Sequence, residues 1–225
     1  MVKARGLEAP RLSKVALPHL EIPEPRTDYS DDSFDALRLE FAGGEVRLDR
    51  SAVVECDLSG LRLELLSADA ARFADVIATG IDVVTWRGHD SSWRDVEIGQ
   101  GRIGSIDLSD SDLSSVRFSD LRIGYLDLRA ARLGDVLFER CRIGTLDLPS
   151  ATLKRVRFDD CTVDDLDLRM VDCTSVDIRG LEVGARLELA ARPGREPLAG
   201  IVASPEQARD LAPVLARAAG LTLLD

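Results

Sequence analysis

Every fifth residue from Trp93 to Val183 is apolar, nineteen positions in all without an exception. A period of five matches neither the α-helix, which repeats every 3.6 residues, nor the flat strand, which repeats every two. It indicates a chain that turns a corner every five residues. A second, smaller apolar set, which includes Val96 and Ile106, lies two places before these positions. Residues two apart in extended chain point to the same side, so both sets predict one shared interior.

A second period of twenty residues lies on top of the first. The tripeptide 116–118 (Val-Arg-Phe) recurs in similar form at 136–138 and 156–158. Twenty residues divided by five gives four faces per turn, so the pattern predicts a square solenoid in which like residues stack on like. The phase extends upstream, where Leu66 and Trp86 supply the volume that Ala68 and Gly88 lack. We therefore expect an all-β β-helix of about seven coils over residues 46–185.

The two ends lack this repeat and are expected to cover it. Residues 1–45 comprise a proline-rich, irregular arm (1–27) and an alternating segment around Gly43-Gly44 that is typical of a capping hairpin. After Val183 the phase ends, with Arg186 and Glu188 at inward positions. Residues 186–225 are expected to form a C-terminal cap, whose helix begins with a Ser204 capping box and is kinked or split at Pro213.

The cap has two possible roles. It is either a lid on the last coil or, in addition, a contact between two chains of a homodimer. The candidate residues for this cap or dimer contact are apolar positions of the helix and the tail, namely Leu211, Leu215, Leu221 and Leu223.

Composition restricts the location of the protein. The chain has 225 residues and a net charge of −11, without an apolar run long enough to cross a membrane or an N-terminal apolar signal segment. We therefore expect a cytoplasmic protein without a membrane contact. All four cysteines fall on inward positions. Cys141 and Cys161 are one turn apart, which would allow a disulfide, but buried reduced thiols are the favoured interpretation.

The sequence contains no recognisable catalytic, cofactor or metal motif. Its two histidines, His19 and His89, are far apart, and neither a nucleophile motif nor a glycine-rich phosphate loop is present. The recurring glycines 104, 124 and 144 are interpreted as corner residues that relieve backbone strain. We therefore expect a protein that is not an enzyme and binds no cofactor or metal.

The triplets 111–113 (Ser-Asp-Leu) and 126–128 (Leu-Asp-Leu) fit the pattern A-(D/N)-L-x-x, and the chain resembles the pentapeptide-repeat family over about three-fifths of its length. The resemblance implies a right-handed quadrilateral β-helix. It also implies one possible role, because the fluoroquinolone-resistance members of that family are dimeric rods whose acidic surface mimics duplex DNA and binds DNA gyrase.

Outward residues are predicted to stack in charged columns. One column is basic (Arg102, Arg122, Arg142), and the next is acidic. The candidate partner-binding surface consists of this acidic column and a nearby cluster, namely Asp107, Asp127, Asp147, Asp167, Asp159, Asp160, Asp164 and Asp165. The first hypothesis is a protein-interaction scaffold without direct nucleic-acid binding, and the alternative is a DNA mimic that binds gyrase. The basic column argues against the mimic, and a solvated, salt-bridged surface would also explain the charge pattern.

Overall fold

The computed structural model describes residues 7–41, 43–196, 198–218 and 220–222. In these residues the chain forms a single sheet of fifteen strands, followed by two short helices. The strands are β1 (Ser33–Asp35), β2 (Glu45–Arg47), β3 (Ala52–Val54), β4 (Arg62–Ser67), β5 (Arg72–Thr79), β6 (Asp82–Arg87), β7 (Ser92–Asp107), β8 (Asp112–Asp127), β9 (Arg132–Glu139), β10 (Arg142–Asp147), β11 (Thr152–Asp159), β12 (Cys161–Asp167), β13 (Asp172–Asp177), β14 (Leu181–Glu188) and β15 (Ile201–Val202). The helices are α1 (Pro205–Asp210) and α2 (Ala212–Ala218).

The strands stack in parallel with a register of twenty residues. Arg142 in β10, for example, pairs with Arg122 in β8 on one side and with Thr162 in β12 on the other. This register makes a β-solenoid of about eight turns, which confirms the predicted β-helix with its short C-terminal helices. Stacked strands lie about 4.8 Å apart, so each outward residue repeats at that distance along the rod.

The interior is filled by the residues with the five-residue period. Of the nineteen positions from Trp93 to Val183, all are buried except Val183, which is partly exposed. Phe118, Phe138 and Phe158 form a stack whose ring centroids are 4.9 and 4.8 Å apart. Trp86 is buried as expected, at 5.5 Å from the ring of Trp93. The core is thus one continuous cluster along the rod.

The corners use two different backbone devices. At three of the four, the corner residue has a positive φ, and twenty of these residues are not glycine, with φ between 50° and 63°. Aspartate tolerates this left-handed conformation better than most residues, and Asp90, Asp110 and Asp160 occupy such corners. The glycines at 104, 124 and 144 mark the fourth corner and do not have a positive φ.

Close packing, and not the backbone strain that we predicted, explains these three glycines. A Cβ atom on Gly124 would lie 2.5 Å from the carbonyl oxygen of Gly104, and Gly144 is in the same position relative to Gly124. The three glycines therefore leave a strip of the rod surface without side chains.

The predicted hairpin near the N-terminus is wrong. Strand β2 pairs with β4 in parallel, and Arg38 forms a parallel bridge with Asp57, so residues 37–41 and 43–47 belong to consecutive faces of an additional coil. This first coil has nineteen residues, since Phe34 pairs with Val53. The missing residue shifts its buried positions, Tyr29, Phe34 and Leu39, by one place from the downstream phase, which hid the coil from a strict count of five.

At the C-terminal end, a bulge corrects the phase. Val163 pairs with Val183, but Asp165 pairs with Arg186, so the last coil has one extra residue. The prediction that Arg186 points inward is therefore wrong. Its side chain is exposed, and Leu187 and Leu189 pack against the core instead. The coil thus continues to Glu188, beyond the predicted end at residue 185.

Side-chain donors close the open end of the last coil. Gln207 completes the predicted capping box with Ser204, and its Nε2 also donates to the carbonyl oxygens of Ile178 and Leu181, at 2.5 and 2.7 Å. Arg192 donates to the carbonyl oxygens of Ser150 and Met170. The helical segment is divided into α1 and α2 next to Pro213, as predicted.

The N-terminal arm lies against the coils. The backbone N–H of Arg11 donates to Asp135, and that of Ser13 donates to Ser115, both at 2.9 Å. Val15 of the arm is buried. Neither helix in the described part of the chain is long and apolar enough to cross a membrane.

Candidate protein-interaction surfaces

The aspartate column (Asp107, Asp127, Asp147, Asp167) stacks in register along the rod, as the twenty-residue period predicts. Its side chains, however, do not all project into solvent. Asp127 is 2% exposed and Asp167 is 9% exposed. The prediction that these carboxylates point outward is wrong for these two members of the column.

The buried aspartates turn back onto their own corner. Asp127 Oδ1 accepts the backbone N–H of Arg129 at 3.0 Å, and the Arg129 guanidinium binds both carboxylate oxygens at 2.5 to 2.9 Å. The pair Asp167–Arg169 has the same geometry. Each of these aspartates therefore holds a turn and has its charge neutralised by the arginine two residues later.

Asp177 and Arg179 repeat this arrangement two faces further along the chain, with a backbone contact of 3.1 Å. The side-chain hydrogen bond from Arg179 holds the pKa of Asp177 below its usual value. The twenty-residue period alone does not identify these arginines as partners of the column. The signal was present, because the aspartate and the arginine are separated by one apolar residue at 127–129, 167–169 and 177–179.

The other two members of the column are partly exposed and also have partners. Asp107 accepts hydrogen bonds from the backbone N–H and the hydroxyl of Ser109, at 2.9 and 2.6 Å. Asp147 accepts the hydroxyl proton of Tyr125 at 2.6 Å, and burial together with this hydrogen bond raises the pKa of Tyr125. The hydrogen-bonding oxygens of all four carboxylates are therefore used within the column, although only Asp127 and Asp167 have their charge neutralised by an arginine.

The acidic cluster (Asp159, Asp160, Asp164, Asp165) is more accessible. Asp160 and Asp164 are exposed, and Asp165 is half-buried. Asp159 forms an ion pair with Arg157 at 3.0 Å. Asp160 and Asp164 are at opposite ends of one short face of the last full coil, so they are the two predicted site residues that present carboxylates most openly.

The arginine column differs from the aspartate column in its pairing. Arg102, Arg122 and Arg142 are all exposed, and their neighbours in the stack are Asp82 at one end and Thr162 and Glu182 at the other. Arg102 pairs with Asp82 at 2.6 Å. In the described part of the chain, no carboxylate lies within ion-pair distance of Arg122 or Arg142 (4.0 Å).

The cap residues are distributed unevenly. Leu211 is half-buried and lines a groove with Leu181, and Leu215 is also half-buried. Leu221 is 61% exposed. Leu223 lies outside the described residues.

The cysteines and the other metal-binding types form no site in the described residues. All four cysteines are buried free thiols, and burial raises the pKa of Cys173 to about 12. In the same part of the chain, no group of three or more His, Cys, Asp or Glu side chains is placed to hold a metal ion.

No family model and no curated protein matches the chain. Among solved structures, the chain is similar to full-length QnrB1, a plasmid-mediated fluoroquinolone resistance protein, with 16% identity and a TM-score of 0.38 over 84% of this chain and 89% of that one. It is also similar to HetL, a pentapeptide repeat protein involved in heterocyst differentiation regulation from the cyanobacterium Nostoc sp. strain PCC 7120, with 14% identity and a TM-score of 0.30 over 82% and 94%. These values are too low to support a conclusion about function.

Proposed function

We propose that the protein is a non-enzymatic scaffold that binds a protein partner through its outer faces, in the cytoplasm. The observation that carries this proposal is the straight stacking of outward residues at one per coil on a continuously packed core. Such a rod presents side chains at fixed spacing, and binding to a preorganised surface loses little conformational entropy.

The acidic cluster is the surface that we propose for the partner. Asp160 and Asp164 are exposed, whereas Asp127 and Asp167 are buried in contact with arginine. A partner with a basic surface would therefore meet the cluster more readily than the column, and charge complementarity would favour its association rate.

Affinity capture from an extract of the source organism tests the scaffold proposal. The immobilised baits are the natural protein, the double variant Asp160→Asn/Asp164→Asn, and the control Asp90→Asn/Asp110→Asn. The two variants remove the same charge, and asparagine tolerates the left-handed corners at 90, 110 and 160. We expect one protein to bind to the natural and control baits and to be lost from the cluster variant. Equal capture by all three baits would contradict the assignment of partner binding to the acidic cluster. Catalytic activity of the purified protein would contradict the proposal of a non-enzymatic scaffold.

The second candidate function is a DNA mimic that binds and modulates DNA gyrase. The open carboxylates of the acidic cluster favour it, because a mimic must present negative charge in place of the phosphates of duplex DNA. The neutralisation of Asp127 and Asp167 within the aspartate column and the exposed arginine column count against it. Inhibition of gyrase supercoiling that weakens in the Asp160→Asn/Asp164→Asn variant would support this function, and unchanged supercoiling at low salt would reject it.

The C-terminal segment, with its exposed apolar end, is one candidate site for pairing two chains. Leu221 supports this idea through its exposure, whereas Leu211 and Leu215 are turned partly toward their own chain. If the tail joins two chains, Leu221→Asp should convert a dimer into a monomer without loss of thermal stability. A mass that does not change would reject the tail contact.

A further inference from the structure

One face of the rod carries both signs of charge in separate blocks. We call it the arginine face, and its outward residues are the arginine column followed by Thr162, Asp164 and Glu182 on the next two coils. Arg122 and Arg142 are exposed without an acidic partner, and Asp164 and Glu182 are exposed without a basic one among the described residues. From the row of Arg122 to the row of Glu182, the face therefore changes from positive to negative over four coils, or about 15 Å.

The boundary between the two blocks is an open groove. It is lined by Arg142, Gly144, Thr162, Asp164, Glu182 and Gly184. The absence of side chains at Gly104, Gly124 and Gly144 continues this low surface along the basic block. A second rigid surface can therefore approach the sheet closely here, with the charged side chains along one edge.

We propose that the arginine face binds the same face of a second copy of this chain, with the two rods side by side and antiparallel. The two-fold axis lies in the plane of contact, perpendicular to both rods, and is level with the groove between the coils of Arg142 and Thr162. It places Arg142 opposite the Thr162–Asp164 row of the second copy. It places Arg122 opposite Glu182. Both rods have the same coil spacing, so the rows of charge match along the contact, and a two-fold contact of this kind is self-complementary.

The charge pattern selects a second copy over a polyanion. The chain has a net charge of −11, which repels nucleic acid or another long anion, and the negative block would lie directly beneath it. Only a partner with the opposite order of charges pairs both blocks, and an antiparallel copy has that order. The overlap covers about four coils, well below the size of a permanent interface, so we expect weak, concentration-dependent association.

This contact goes beyond the proposed scaffold role and does not depend on it. Sedimentation velocity of the full chain over a wide range of protein concentrations tests it. We expect reversible dimers for the natural protein, and monomers for Arg122→Glu/Arg142→Glu and for Asp164→Arg/Glu182→Arg. The control Arg94→Glu/Lys154→Glu changes the net charge by the same amount as Arg122→Glu/Arg142→Glu, at two exposed positions on another face. It should still dimerise.

A mixture of the two monomeric variants is the decisive experiment. In their heterodimer, each introduced glutamate meets an introduced arginine, and the natural acids of one chain meet the natural arginines of the other. We expect the mixture to recover dimers, which also demonstrates that both variants are folded. The proposal is overturned if the natural chain stays monomeric, if the Arg122→Glu/Arg142→Glu dimer persists, or if mixing does not recover association. Dissociation by Leu221→Asp alone would assign the dimer to the tail instead.

Discussion

The aspartate column and the arginine column have the same repeat in the sequence, yet their side chains are used differently in the structure. Each repeats one charged residue every twenty positions on neighbouring faces. Asp127 turns back to its own corner and is neutralised by Arg129, whereas Arg122 extends from the middle of a face and has no carboxylate partner among the described residues. A charged column is therefore structural when its side chains can reach the backbone of the next turn, and available to a partner when they cannot.

The largest effect should come from the core that supports both columns. Phe138→Asp would bury an unpaired carboxylate between Phe118 and Phe158, which no neighbouring group can compensate. We expect no soluble protein. Phe138→Leu is the control, because it keeps an apolar side chain, and it should be soluble with reduced thermal stability. Soluble, cooperatively folded Phe138→Asp would mean that neither column is arranged as described.

The next effect separates the two columns directly. Asp127→Ala removes the acceptor of the Arg129 N–H and both oxygens of the ion pair, so we expect a loss of about 1–3 kcal/mol in the free energy of unfolding, measured in urea. Asp127→Asn keeps one acceptor oxygen and should lose less. If both variants are as stable as the natural protein, the aspartate column has no structural role.

Acid titration tests the same distinction. The pKa of Asp177 is lowered by its hydrogen bond from Arg179, and that of Asp135 is lowered by Arg155. A carboxyl whose folded pKa lies below its unfolded value contributes stability above about pH 4, and this contribution is lost as the pH falls through the folded pKa. The free energy of unfolding should therefore decrease with acidity below about pH 4. Asp177→Asn should reduce this decrease, and an identical pH profile for both proteins would be inconsistent with the pairing.

The smallest effect is expected in the arginine column. Arg122→Ala should change the free energy of unfolding of the monomer by less than about 0.5 kcal/mol, since the side chain is exposed and has no carboxylate partner among the described residues. Urea unfolding at low protein concentration measures this value without the contribution of self-association. A loss comparable to that of Asp127→Ala would remove the difference between the columns.

Most of the fold could be predicted because the pattern is periodic. Each coil stacks only on its neighbours, so an apolar residue at every fifth position is sufficient to specify the interior. The ends could not be predicted by the same count. One missing residue before Val46 and one extra residue near Gly184 shift the phase, and a template that allows a slip of one place would have found Phe34 and Leu187.

The candidate site was only partly predictable. The period correctly placed Asp127 and Asp147 in one column, because it determines which residues stack. It does not determine where a side chain points after the corner, so it could not distinguish the buried Asp127 from the exposed Asp160. The burial of the aspartate depends on whether an arginine lies two residues later in the sequence and binds its carboxylate.

The side chains at the open end of the last coil have a consequence for how long such a rod can be. A parallel stack has no intrinsic stopping point, because its final coil is a template on which another strand could be added. Gln207 occupies the carbonyl oxygens of Ile178 and Leu181 on the last coil, where an added chain would otherwise stack. The length of the rod is therefore encoded by the position of the capping segment that carries Gln207. Inserting or removing one block of twenty residues upstream would give a longer or shorter rod with the same terminus.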